Sequence, residues 1–81
     1  MKEIVIAHRS WVFVGDVNVI GNDLVIENAF CIRRWGTTNG LGQLALSGPT
    51  AKTVLDKYGT VTIHILAVVG RINCNPDVKW P

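Results

Sequence analysis

The chain has 81 residues, a formal net charge of +2, 48% apolar residues and 17% charged ones. That length is one domain, residues 1–81, and the apolar share excludes a disordered chain. The small net charge excludes a dedicated duplex-DNA binder, and a core this small is marginal alone, so association between copies is expected to supplement it.

Lys2 to Ala7 is β-branched and loosely alternating, which predicts a strand. His8-Arg9-Ser10 breaks it. Trp11 to Ile20 is a second strand, with Val17 and Val19 on one face and Asp16 and Asn18 on the other. Gly15 inside it signals a bulge or a sharp bend. Gly21-Asn22-Asp23 is a tight reverse turn, and Leu24 to Ile32 is the return strand of a hairpin. From Gly36 the β pattern stops. Leu41, Leu44 and Ala45 have the i, i+3, i+4 spacing of one apolar helix face. Thr38 or Asn39 caps its start, or Gly40 does with Gln43 reaching back; Gly48-Pro49 stops it. Its leucines are expected to cover one open end of a barrel. Thr53-Val54-Leu55 reads as a short edge strand ended by a turn at Asp56-Lys57-Tyr58-Gly59. Thr60 to His64 is a half-buried strand. Ile65-Leu66-Ala67 interrupts the register, and Val68 to Cys74 is the last strand.

The longest apolar run, Ile63 to Gly70, is broken by His64 and falls far short of the roughly 20 residues that cross a bilayer. Met1-Lys2-Glu3 before Ile4-Val5-Ile6-Ala7 is too short for a secretory leader. Together they predict a cytoplasmic protein that does not engage membranes. Cys31 and Cys74 are isolated from each other. They are expected to be reduced, mostly buried thiols, not a disulfide framework or a metal knuckle.

Val12 to Ile20, the turn, and Leu24-Val25-Ile26-Glu27-Asn28-Ala29 together resemble the first signature of the Sm-like proteins. Thr62-Ile63-His64-Ile65-Leu66-Ala67-Val68-Val69 resembles the second signature and the final strands of the bacterial Sm-like RNA chaperone. The resemblance implies a mostly β fold: a small five-stranded Sm-like/SH3-like barrel with one short helix inserted between strands 3 and 4. It also implies ring assembly and RNA binding. An insertion, Arg33 to Lys52, separates the two signatures. Within it, Arg34-Trp35-Gly36-Thr37-Thr38, Gly42-Gln43-Leu44-Ala45 and Gly48-Pro49-Thr50 are similar to small uncharacterised proteins of phages and prophages, which implies a phage accessory protein acting in the host cytosol.

The residues with the most chemistry lie at the start of that insertion. Alternation places Arg33 and Trp35 on one face of the strand and Arg34 on the other. An arginine beside an aromatic can pair a phosphate and stack a base. Gly36 to Gly42, opening a helix, offers backbone N–H groups and the side chains of Thr37, Thr38 and Asn39 to an anion; no Gly-Lys-Ser/Thr follows, so it is not a Walker loop. Arg71 is a candidate partner for the same ligand. His8 and His64 have no ligand-spaced neighbours, and no metal or cofactor is expected. Asp16, Asp23, Glu27 and Asp56 form no acid–base pair, and neither cysteine has a base near it in sequence. The expectation is therefore a non-enzymatic homo-oligomer that binds a nucleotide or single-stranded nucleic acid, for instance sequestering a host signalling nucleotide in counter-defence. Two further readings stay open. One is an inhibitor of a host enzyme anchored by Trp11, Trp35 or Trp80; the other is a small virion or assembly component.

Overall fold

A computed structural model describes residues 2–81; Met1, which begins the N-terminal reading above, lies outside the described residues. Five strands, β1 (Lys2–Ala7), β2 (Val12–Ile20), β3 (Asp23–Arg34), β4 (Val54–His64) and β5 (Val68–Asn73), form one antiparallel sheet in the order β4-β3-β2-β1-β5. The helix α1 (Gly40–Ser47) lies between β3 and β4 in sequence. The β2–β3 hairpin forms where the alternation and the Gly21-Asn22 turn place it, with Ile20 opposite Asp23. Among the described residues no ladder joins β4 to β5, so the sheet is open and both its outer edges are unpaired.

The expected turn at Asp56 to Gly59 is not there. Val54-Leu55 of the expected edge strand and Thr60–His64 are parts of one eleven-residue strand, Val54–His64, and Thr53 lies just outside it. Cys31 faces Asp56 and Phe30 faces Lys57, so β3 supplies the pairing that overrides these turn-prone residues. Gly59 absorbs the register shift as a bulge, with φ of +85°.

The connection from β4 to β5 dictates the shape. His64 pairs at the hairpin tip with Asp23, whereas β5 starts level with Ala7 at the far end of β1. Laid flat, these points would be about nine residues apart along the strands, roughly 30 Å. The 3-10 turn Ile65–Ala67 joins them, and such a connector reaches at most about 14 Å. The long strands must therefore fold back on themselves.

They do so along a crease. Asn28 (φ +52°) is the extra residue of a bulge opposite Asp16, and Ala29 is paired with Gly59. Gly15 lies against the same row: a Cβ there would come within 2.6 Å of the Ile26 methyl and 2.8 Å of the Glu27 carbonyl.

The crease leaves two apolar layers. Inside the curl are Val5, Phe13, Val17, Leu24, Ile26 and Ala29, with Val61, Ile63 and Val68 against them. On the outer side, Ile4, Val12, Val14 and Ile32 pack under Leu41, Leu44 and Ala45 of α1, and Trp80 joins them from the C-terminal segment. The helix thus presents the three residues that its spacing predicts, covering a face of the curled sheet. Asn39 occupies the N-cap position but gives no side-chain cap; Gln43 reaches back to accept the Asn39 N–H at 2.7 Å. No helix among the described residues is long and apolar enough to cross a membrane.

Two substitutions test this account. Gly15→Ala forces a methyl into backbone across the crease and should destabilise the fold by about 1–3 kcal/mol. Leu44→Ala, at a fully buried position, should cost about 2–5 kcal/mol, a large part of the total stability expected for a domain of this size. Urea unfolding followed by circular dichroism measures both; midpoints unchanged from the parent would refute the packing described.

Candidate ligand-binding site

At the end of β3 the three expected residues divide. Arg33 holds Asp56 of β4 in a bidentate pair, with Nε to Oδ2 at 2.9 Å and Nη2 to Oδ1 at 3.3 Å. Both side chains remain partly open to water, so this pair contributes little to stability. Arg34 is exposed and has no carboxylate partner among the described residues. Trp35 is 44% exposed and rests beside Gly40 at the start of α1.

The loop that follows is laced to itself. The Thr37 hydroxyl donates to the Gly40 carbonyl at 2.7 Å, and the Thr38 hydroxyl donates to Gln43 Oε1 at 3.0 Å. The hydroxyls of Thr50 and Thr53 donate to the carbonyls of Gly36 and Trp35 at 2.6 and 2.7 Å. The Thr37 and Thr38 hydroxyls and the Asn39 N–H therefore have partners within their own segment. Arg71 stands apart. It lies on β5, separated from β3 by β1 and β2, and its guanidinium makes two 2.8 Å bonds to the nearly buried carboxylate of Glu3. That pair ties β5 to β1 and holds the Arg71 pKa above its ordinary value, chiefly through the hydrogen bond to Glu3.

A second feature includes Trp11, expected only as a protein anchor, together with two aromatics that the sequence did not single out. Of the three tryptophans, two phenylalanines and one tyrosine in the chain, Trp11, Phe13 and Tyr58 meet. Trp11 and Phe13 are near-parallel, centroids 5.8 Å apart and planes 8° apart. Tyr58 presents its edge to Trp11 at 6.4 Å and tilts against Phe13 at 5.9 Å. They line a cleft of about 360 Å³ together with Ala7, His8, Val61, Thr62, Ile63 and Ala67. It opens where the turned-back half of β4 approaches the ends of β1 and β2.

The cleft follows from the sequence locally. Trp11 and Phe13 are two apart in an extended run, hence on one face. A three-residue turn, His8–Ser10, sets Trp11 in place; Arg9 and Ser10 adopt φ of 62° and 65°, and the Ala7 N–H donates to the Trp11 carbonyl at 2.7 Å. Left-handed backbone at two consecutive non-glycine residues costs of order 1 kcal/mol or more each. The paired W-x-F aromatics are a signal visible in the sequence. Tyr58 is not, because its neighbours read as a turn.

Cys31 links the two features. It faces Phe13 on one side and Asp56 on the other. Burial pushes its thiol pKa up; a hydrogen bond with Tyr58 pulls it down, Asp56 raises it and Arg33 lowers it. Cys74, under α1, is also raised, first by burial. Among the described residues no three His, Cys, Asp or Glu side chains gather to hold a metal ion. No protein-family model matches the chain, and no curated protein matches it.

The thiols give a test of this geometry. At pH 8, iodoacetamide should alkylate Cys31 and Cys74 more slowly in the folded protein than in the urea-unfolded chain. Their raised folded pKa values stabilise the fold below the ordinary thiol value of 9.0, and that contribution is lost as pH rises past it. Urea midpoints at about pH 7 and pH 10 check the sign; a higher midpoint at the alkaline pH would contradict it.

Proposed function

We propose that this chain is a non-enzymatic, homo-oligomeric binding protein of phage type that takes a nucleotide or single-stranded nucleic acid in the host cytoplasm. One observation carries the reading: Arg34 and Trp35 stand exposed at the end of β3 with no carboxylate partner for the guanidinium among the described residues, while the Thr37 and Thr38 hydroxyls and the Asn39 N–H beside them bond within their own segment. An indole face stacks on any base, and a guanidinium pairs a phosphate bidentately. Arg33 can join by exchanging Asp56 for phosphate, because that pair is solvent-exposed and weak. The curled five-stranded sheet with its helix between β3 and β4 accords with an Sm-like or SH3-like barrel. Association is favoured by the unpaired outer edges of β4 and β5, which strands of a second copy can satisfy.

One observation favours a second reading, an inhibitor that binds a host protein. Leu66 and Val69 are 87% and 70% exposed near the chain's other end, and Ile20 is 64% exposed; such residues anchor protein interfaces.

Native mass spectrometry, then calorimetric titration with cyclic dinucleotides, cyclic trinucleotides and short RNA, decides between them. The expected result is an oligomer that binds at least one of these, with affinity falling as salt is raised. Trp35→Ala should weaken binding by about 1–3 kcal/mol, and Arg34→Ala should also weaken it while flattening the salt dependence. Neither should shift the melting temperature by more than a degree or two. A monomer with no heat from any of these ligands would overturn the proposal.

A further inference from the structure

We infer that the cleft between Trp11, Phe13 and Tyr58 is a binding site for a planar aromatic ring, distinct from the Arg34–Trp35 platform. The inference does not depend on the nucleotide reading. The ring belongs to a nucleoside base or to a free aromatic metabolite such as an indole; both share the flat, uncharged face that the site recognises.

Among the lining residues of the cleft there is no carboxylate, lysine or arginine, and Ala7, Phe13, Val61, Ile63 and Ala67 make it mainly apolar. His8, Thr62 and Tyr58 are the lining residues with polar groups. A few polar groups around an apolar cleft of this size are what a small-ligand site presents.

The aromatic geometry then selects a ring over an aliphatic occupant. Phe13 is buried and lies parallel to Trp11, so it supports one face of the indole. Trp11 is nevertheless 48% exposed and Tyr58 49%. The exposed parts of the indole and of the Tyr58 ring, whose planes cross at 61°, thus border the same cleft. A flat ring placed there gains an offset stack on Trp11 and an edge-to-face contact with Tyr58, the two arrangements that aromatic pairs prefer. Packing alone does not account for two of the chain's few aromatics standing half in water. Nor does it account for a turn with two left-handed non-glycine residues holding one of them; strain of this kind concentrates at functional positions.

The test uses the full chain and three probes: adenosine, AMP and indole. Binding is followed through the indole N–H resonances of the three tryptophans. At least one probe should shift the Trp11 resonance, with a Kd at or below the millimolar range. Trp11→Ala should raise that Kd about tenfold or more. Tyr58→Leu should weaken binding, Tyr58→Phe should keep it, and Trp35→Ala should leave it unchanged. Adenosine and AMP binding alike, with indole inert, assigns the site to a base; indole binding best assigns it to a free aromatic metabolite. Because the wild-type shifts are read directly, the inference stays testable even if Trp11→Ala fails to fold. It is overturned if no probe at about 10 mM moves the Trp11 resonance, a concentration at which a ring of this size should register. It is also overturned if binding is lost in Trp35→Ala but kept in Trp11→Ala. A third overturning result is that Trp11→Ala instead dissociates an oligomer, which would mean that a second copy fills the cleft. Loss of nucleotide binding in Arg34→Ala with the Trp11 shift intact would leave this inference standing and count only toward the platform.

Discussion

A three-residue connector governs this molecule. Ile65–Ala67 must carry the chain from the hairpin-tip end of β4 to the opposite end of β5. No flat sheet of these strand lengths permits that. The long strands accordingly crease where Gly15, the Asn28 bulge and Gly59 lie together, and the inner core is what the crease encloses. The open seam and the cleft beside it have the same origin, since the turned-back half of β4 approaches β1 and β2 without pairing to them.

Charge is distributed in a way that sorts structure from surface. Glu3 and Arg71 are 68 positions apart in sequence, and their pair holds the outermost strand to its neighbour. Arg33 and Asp56 join β3 to β4 in water, where a single ion pair stabilises little. Arg9 and Arg34 have no carboxylate partner among the described residues. Arg9 lies two positions before the exposed Trp11, and Arg34 adjoins the exposed Trp35. The threonines of the same segment have already found carbonyl and amide oxygens within reach.

The hairpin and the helix face were legible from local pattern. Alternation in Asp16 to Val19 follows from the two-residue period of a strand, and the spacing of Leu41, Leu44 and Ala45 from the period of a helix. The single strand Val54–His64 was not, because Asp56, Lys57 and Gly59 favour a turn until β3 supplies hydrogen-bond partners alongside. The loop after Trp35 reads as free donors, yet its side chains close on nearby oxygens. Trp11 and Phe13 could be paired by their spacing; that Tyr58 would meet them could not.

The amino-acid order by itself determined the first three strands, the helix and its apolar face, and that guanidinium and indole groups sit side by side at residues 33–35. Those properties follow from neighbours a few bonds away. Only the tertiary structure decided that Arg71 serves Glu3, that Arg33 serves Asp56, and that three aromatic rings converge on one cleft. Each of those contacts joins residues far apart along the backbone, and the folding-back of the sheet sets where they meet.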